Sequence, residues 1–196
     1  KYMQDICFCI PARYESTRLQ HKLLLKLDEE SCIRKTIKQV MKSKFFNNNI
    51  FVLTNNVTIK EEISDLPCQT IMTSDNYKNG SDRISKNLNL INKQYNTITN
   101  VQADEPYISP KNIDYCIENH LNNNTNNLFY TTLHEETNSI EYLKSTASLK
   151  MIVDNNDNVL YYSRNIIPWN KNGKIDNSYN YKTFTGIYVY NRNMLE

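Results

Sequence analysis

The hydrophobic residues of this chain fall into short runs separated by polar segments that are rich in asparagine. The runs at residues 6–10 and 50–53 have the length and composition of buried strands, and residues 97–102 also predict a strand. Between the first two runs, Ile33, Ile37, Val40 and Met41 recur at three- and four-residue spacings, which predicts an amphipathic helix capped by Ser31. A strand, a helix and a strand in this order form the βαβ unit of a parallel sheet.

Three further helices are predicted before residue 128. Thr58 is placed to cap a short helix that ends at Pro67, residues 81–90 predict another, and Ser109 followed by Pro110 predicts the start of a fourth. Residues 69–72 and 128–133 predict additional strands. The strands therefore alternate with helices over the first two thirds of the chain.

From Ala147 the pattern changes to alternating apolar and polar positions. Residues 148–153 and 159–163 predict a hairpin around a turn at 154–158, and residues 181–190 predict a final strand. We therefore predict a Rossmann-like α/β fold with a mostly parallel sheet and an antiparallel addition at about residues 147–190. The length of 196 residues indicates one domain, residues 1–196.

Composition and charge narrow the class of protein. A net charge of +2 is too small for the basic surface of a nucleic-acid-binding domain. The five cysteines include no Cys-x-x-Cys pair, which predicts reduced, mostly buried thiols and no zinc site. His21, His120 and His134 lack ligand spacing and are expected at the surface or as caps. Reduced thiols and the small charge lead us to expect a cytoplasmic protein without a nucleic-acid partner, and the lack of an apolar run long enough for a bilayer argues against a membrane partner.

A cluster of cations follows the first predicted strand. The run at residues 6–10 ends at Pro11, and Arg13, Arg18 and Lys22 come in the next eleven residues. Two guanidinium forks and one ammonium in a loop at a strand's carboxyl end could bind one triphosphate. A charged loop exposed to solvent is the alternative, and the residues alone leave both possibilities open.

Three other segments carry candidate chemistry. Asp104 and Glu105 follow a predicted strand and suit Mg²⁺, although such a pair is more often a solvated turn. Gly80 before a helix that starts at Ser81 could bring backbone amides to a ligand, or simply begin a capped helix. The segment from Ser163 to Trp169 could contact a dimer partner, because arginine and tryptophan are favoured at interfaces.

Four motifs together resemble the family of 3-deoxy-manno-octulosonate (KDO) cytidylyltransferases. They are Pro-Ala-Arg-Tyr-x-Ser-Thr-Arg-Leu-x-x-Lys at 11–22, Val-Gln-Ala-Asp-Glu-Pro at 101–106, Ser-Arg-x-x-Ile-Pro-Trp at 163–169 and Gly-Ile-Tyr-x-Tyr at 186–190. The resemblance covers nearly the whole chain. It implies a nucleotide-sugar transferase fold and the reaction of CTP with KDO to give CMP-KDO and diphosphate, for lipopolysaccharide or related polysaccharide synthesis. It also implies Mg²⁺, a homodimer, and CTP and an acidic sugar as ligands.

The resemblance assigns a role to each matching residue. The implied catalytic residues are Arg13, Arg18 and Lys22 on the phosphates and Asp104 as Mg²⁺ ligand. The implied nucleotide contacts add Ala12, Gln102 and, against the cytosine, Gly80, Ser81 and Arg83. The implied sugar contacts are Gln102, Arg164 and Tyr188, while Trp169 is assigned to packing.

The chain departs from the family pattern at several places. Gln20 and His21 stand where the family has Pro-Gly, Ala103 replaces a glycine, and Phe184 replaces a histidine of the sugar pocket. The sequence as given stops at Glu196, before the family's segment with a second metal-binding aspartate, so we expect that segment to be absent. Two alternatives remain open: a CMP-sialate-type synthetase, which normally lacks the motifs at 101–106 and 163–169, and a nucleotide-binding remnant without turnover.

Overall fold

The protein forms two compact units. A computed structural model describes residues 5–13, 21–74, 76–123 and 128–196. The first unit comprises Lys1–Thr131 and Gly186–Glu196, and the second comprises Thr132–Thr185. The antiparallel part predicted from residue 147 thus belongs to a unit that already begins at Thr132.

The first unit contains most of the strands and helices. Its strands are β1 (Ile6–Ala12), β2 (Lys26–Leu27), β3 (Glu30–Ser31), β4 (Ile50–Thr54), β5 (Gln69–Met72) and β6 (Thr97–Val101). Its helices are α1 (Cys32–Val40), α2 (Val57–Glu62), α3 (Gly80–Ser85) and α4 (Pro110–Asn122), with 3₁₀ turns at Lys22–Leu24, Leu88–Leu90 and Arg192–Met194. This order of elements confirms the predicted βαβ pattern.

The sheet of the first unit is parallel except for its last strand. Its order is β5-β4-β1-β6-β10, where β10 (Tyr181–Asn191) runs antiparallel to β6 and its residues up to Thr185 belong to the second unit. Ile6, Phe8 and Ile10 of β1 are fully buried. So are Cys7 and Cys9, which point to the opposite face and join a cluster with Ile84 of α3. Burial on both faces explains why β1 and β4 read as nearly continuous apolar runs.

The second unit is antiparallel. It contains most of β7 (Tyr130–Thr137), then α5 (Ile140–Lys144), β8 (Lys150–Val153), β9 (Val159–Ser163) and the first half of β10. Strands β8 and β9 form the predicted hairpin, and β8 also pairs with β10. The carboxylate of Asp154 orders the hairpin turn by accepting bonds from the amides of Asn156 and Asn158. The predicted fold class, a mostly parallel sheet with antiparallel strands in the second half, is confirmed.

Two helix predictions were wrong in detail. Asn56, not Thr58, caps α2, because its amide oxygen accepts a hydrogen bond from the backbone N–H of Ile59 at 3.2 Å. The helix predicted at residues 81–90 is divided into α3 and the 3₁₀ turn Leu88–Leu90. Asn79 caps α3 by accepting from the amide of Asp82, so this helix begins one residue earlier.

The expectation that all histidines lie at the surface or act as caps is wrong for His120. Its side chain is fully buried on α4, with Nδ1 2.9 Å from the Thr131 hydroxyl and Nε2 3.1 Å from Asn191 Oδ1. Burial lowers its pKa, since the charged imidazolium would lose its hydration. His120 is therefore a neutral core residue. Within the described ranges, no helix combines the length and apolar character needed to cross a membrane.

Candidate active site

A lysine and an aspartate that lie 82 positions apart in sequence come together beside the carboxyl ends of the first unit's parallel strands. The Nζ of Lys22 lies 2.6 Å from Oδ2 of Asp104, and their side chains remain 44% and 35% exposed. Asp104 follows β6, and Lys22 begins a 3₁₀ turn after His21. The structure thus brings together the predicted phosphate-binding lysine and the predicted metal ligand.

The backbone at His21 explains one departure from the family pattern. His21 has φ 56°, in the left-handed region that a glycine adopts without steric cost. Its carbonyl accepts a hydrogen bond from the amide of Leu24, which closes the 3₁₀ turn that carries Lys22. Histidine tolerates this region better than most residue types, so the turn forms with His21 where the family pattern has a glycine.

The first strand ends on the same side of the sheet as β6. β1 and β6 are parallel neighbours, with Cys9 opposite Asn100, so their carboxyl ends point in the same direction. Arg13 directly follows β1 and is exposed, whereas Ala12 is buried at the strand end. Arg18, the third predicted phosphate ligand, lies outside the described residues. Arg13 and Asp104 therefore both follow the carboxyl ends of neighbouring parallel strands, which is where ligands bind in sheets of this kind.

The start of α3 lies against the end of β1. A Cβ on Gly80 would approach Cγ of Pro11 to 2.7 Å, so only glycine fits there without displacement. The next residue, Ser81, places its Oγ 2.9 Å from the hydroxyl of Tyr190 and 3.2 Å from Nδ2 of Asn100. The predicted nucleotide residues Gly80 and Ser81 are thus fixed beside the end of β1.

Arg83 occupies a different environment from the one its predicted role suggests. Arg83 is only 4% exposed, and its guanidinium donates to the hydroxyl of Thr73 and lies 4.9 Å from the ring centre of Tyr77. These contacts anchor α3 and occupy some of the hydrogen-bond donors of the guanidinium. A direct contact with the base stays a prediction.

The segment from Gln102 to Glu105 is held by β10. The amide of Gln102 donates to the carbonyl of Gly186 at 3.1 Å. Gly186 has φ 72°, and a Cβ there would lie 2.3 Å from Oε1 of Glu105. The glycine thus permits both the conformation and the close approach of the carboxylate. Two residues later, Tyr188 stacks on Tyr190 at a centroid distance of 5.8 Å and lies opposite Asn100 in the sheet register.

The sequence pattern did not predict that two residues of α1 hold the backbone at Ala103, next to Asp104. The carbonyl of Ala103 accepts a hydrogen bond from the Thr36 hydroxyl at 3.0 Å and a weak one from the Cys32 thiol at 3.9 Å. Burial raises the pKa of Cys32, and the charge of Asp104 raises it further. A threonine on the apolar face of α1 was the available signal, since a buried hydroxyl needs a partner.

The second unit contains an open cavity of about 490 Å³ beside Arg164. Its lining residues are Leu143, Lys144, Thr146, Arg164, Asn165, Ile166 and Trp169. Arg164 is exposed, and its Nη1 donates to the carbonyls of Thr146 and Ala147 at 3.1 and 2.6 Å. Trp169, assigned to packing, is 59% exposed and borders this cavity.

A buried lysine in the same unit also escaped prediction. Lys150 of β8 is fully buried, and its Nζ donates to the carbonyls of Ser145 and Ser148 at 3.1 and 2.9 Å. Burial lowers its pKa, and the nearby charge of Arg164 lowers it further. The alternation of residues 148–153 predicted the strand but gave no indication that this lysine is enclosed.

Phe184 packs where the family pattern has a histidine. Its ring meets that of Tyr162 edge to face, with centroids 6.4 Å apart. A phenyl ring offers no hydrogen-bonding atom, so polar contacts to any ligand here must come from other side chains.

Comparison with known proteins agrees with this architecture. The Cytidylyltransferase family model matches residues 7–196. The 3-deoxy-manno-octulosonate cytidylyltransferase of Fusobacterium nucleatum subsp. nucleatum is 35% identical over 95% of this chain and 73% of the relative. The protein of the same name from Francisella tularensis subsp. holarctica is 31% identical over 96% of this chain and 75% of its own length.

A solved structure is similar over nearly the whole chain. CMP:2-keto-3-deoxy-manno-octonic acid synthetase complexed with CTP superposes with a TM-score of 0.82 at 25% identity, covering 97% of this chain and 75% of the other. The motifs at the strand ends, the family match and these relatives agree. The chain belongs to the cytidylyltransferase family, among the 3-deoxy-manno-octulosonate cytidylyltransferases.

Proposed function

We propose that this protein transfers the cytidylyl group of CTP to KDO and releases diphosphate. The observation that supports the proposal is the ion pair between Lys22 and Asp104, the two residues to which we assign phosphate binding and metal binding. The relatives named above bear the name of this activity, and the similar solved structure holds CTP. CTP and KDO are therefore the proposed substrates.

The proposed reaction is an in-line displacement at the α-phosphorus of CTP. The anomeric hydroxyl oxygen of the sugar forms the new P–O bond, its proton leaves, and the bond from the α-phosphorus to the bridging oxygen breaks. Arg13, Arg18 and Lys22 neutralise the departing diphosphate. Positioning and charge neutralisation supply the rate enhancement, so no nucleophilic side chain is required.

The residues at the strand edge fit Mg²⁺. Lys22 engages Oδ2 of Asp104, while Oδ1 has no hydrogen-bond partner within the described residues. The same ranges contain no cluster of three or more histidine, cysteine or acidic side chains. One or two carboxylates together with substrate phosphates are the usual ligands of Mg²⁺, so Asp104 suits it. When bound, Mg²⁺ would neutralise charge at the α-phosphate.

The acidic sugar is assigned to Arg164, Tyr188 and Gln102. A guanidinium fork suits the carboxylate of KDO, and Tyr188 offers a hydroxyl that Phe184 cannot. We further propose that CMP-KDO serves lipopolysaccharide or related polysaccharide synthesis in the cytoplasm and that the protein acts as a homodimer. These assignments rest on the family pattern, in which the antiparallel strands contact the partner.

Diphosphate release on the 196-residue chain tests the proposal. The assay combines Mg²⁺ and CTP with KDO or with N-acetylneuraminate, and replaces CTP by ATP, GTP or UTP. Turnover only with CTP and KDO is expected. Turnover with N-acetylneuraminate would favour a CMP-sialate-type synthetase, and CTP binding without turnover for any pair would favour the remnant.

A further inference from the structure

Four consecutive carbonyls in the second unit are held by two cations. The segment from Ser145 to Ser148 follows α5, and its first and last carbonyls accept hydrogen bonds from the buried Nζ of Lys150. Its two middle carbonyls accept from Nη1 of Arg164. One cation therefore lies beneath the segment, and the other lies at its exposed side.

The register of the hairpin explains why the two cations share this segment. Lys150 on β8 lies opposite Ser163 on β9, and Arg164 follows directly. Lys150 is fully buried, and within the described residues it has no carboxylate partner. Enclosing a lysine without a counter-charge is unfavourable, which points to a role for this side chain other than stability.

Arg164 keeps donors available for a ligand. Both of its hydrogen bonds use Nη1, which leaves the Nε and Nη2 groups without partners in the described part of the chain. These two N–H groups can bind a carboxylate in the bidentate geometry typical of arginine. The two carbonyls thus fix the direction of a guanidinium fork that borders the cavity.

We propose that Lys150 is a positioning residue of the acidic-sugar site, which holds the Ser145–Ser148 segment so that its carbonyls orient Arg164 toward the substrate carboxylate. The inference rests on the proposed function. It adds a residue that touches no substrate and acts through Arg164.

Steady-state kinetics of Lys150→Met test this role. Methionine removes the charge and the donors with little change in volume. The KM for KDO should rise roughly 10-fold or more, because misplacing a binding group by about 1 Å has effects of this size or larger. The KM for CTP should change less than about twofold. Lys182→Met is the matched control, since Lys182 pairs with Glu136 in the same unit and its loss leaves the Ser145–Ser148 segment intact.

A double-mutant cycle separates positioning from general destabilisation. If Lys150 acts through Arg164, adding Lys150→Met to Arg164→Ala should raise the KM for KDO no further. The inference would be overturned if the two substitutions raised the KM for KDO by factors that multiply in the double mutant. It would also be overturned by an unchanged KM for KDO in Lys150→Met, or by an equal rise in Lys182→Met. If Lys150→Met does not fold, Lys150→Gln, which keeps an amide donor, takes its place in the cycle.

A readout independent of turnover distinguishes this inference from the proposed function. The side-chain Nε–H signal of Arg164, assigned by its loss in Arg164→Ala, should shift or broaden in Lys150→Met and stay unchanged in Lys182→Met. A wild-type protein without turnover would refute the proposed function, whereas an unchanged Arg164 signal in Lys150→Met would refute the positioning role.

Discussion

Lys22→Ala should abolish most of the activity while leaving the fold nearly as stable. The ion pair with Asp104 is 2.6 Å long, but both side chains are more than one third exposed. Such a pair contributes at most about 1 kcal/mol to the free energy of unfolding, because solvent screens the charges. For a chain of this size, that corresponds to a decrease in Tm of roughly 2–4 °C.

The effect on turnover should be much larger. Lys22 is assigned to the diphosphate that leaves, and removing one group that stabilises transition-state charge typically lowers kcat by about 10²–10³-fold, or roughly 3–4 kcal/mol. The assay is diphosphate release with CTP, KDO and Mg²⁺, performed together with a thermal melt. A large loss of kcat with a small change in Tm is the expected combination.

Lys35→Ala provides the matched control for this experiment. The Nζ of Lys35 also lies 2.6 Å from a carboxylate, that of Asp28, but it has no assigned role in the site. Its turnover should stay within about threefold of wild type. Normal turnover in Lys22→Ala would show that the phosphate assignment is wrong, and an equal loss in both variants would show that the site-specific reasoning is wrong.

Three further substitutions test the fold by urea unfolding. Gly186→Ala should lower the free energy of unfolding by about 1–3 kcal/mol, because the residue has φ 72° and its Cβ would overlap Glu105; full recovery on adding Glu105→Ala would contradict the contribution of backbone strain. Asp65→Asn should be less stable than wild type near neutral pH. Arg34 lowers the pKa of Asp65 to about 2, so this difference should shrink as the pH falls from 3.8 toward 2, and a constant difference would refute the assignment. Burial lowers the pKa of His120 below 6.5, so lowering the pH should destabilise the wild type, because the unfolded chain takes up a proton that the folded chain excludes. His120→Gln should flatten this dependence of the free energy of unfolding on pH. An unchanged slope would contradict the assignment to His120.

Local interactions made several features predictable. Ser31 caps α1 by accepting from the amide of Arg34, as a serine before an apolar periodicity predicts. The hairpin of β8 and β9 follows from alternation around a polar turn. The position of Asp104 just after a strand likewise follows from the β-prone residues that precede it. Each of these predictions depends on residues within a few positions of one another.

Other features depended on packing between distant segments. The burial of His120 requires Thr131 and Asn191, and the burial of Arg83 requires Tyr77 and the hydroxyl of Thr73. A side chain's polarity does not reveal whether folding will supply such partners, because tertiary contacts decide which polar groups are satisfied in the interior.

By itself, the sequence determined the alternation of strands and helices, the antiparallel second half and the motifs that identify the family. Periodicity, capping and turn chemistry act over short distances, so they can be read along the chain. Only the tertiary structure decided that Lys22 contacts Asp104 and that Lys150 is enclosed beneath the segment that holds Arg164. The physical reason is that strand order and register bring these residues together, and neither is encoded in the local spacing of apolar and polar positions.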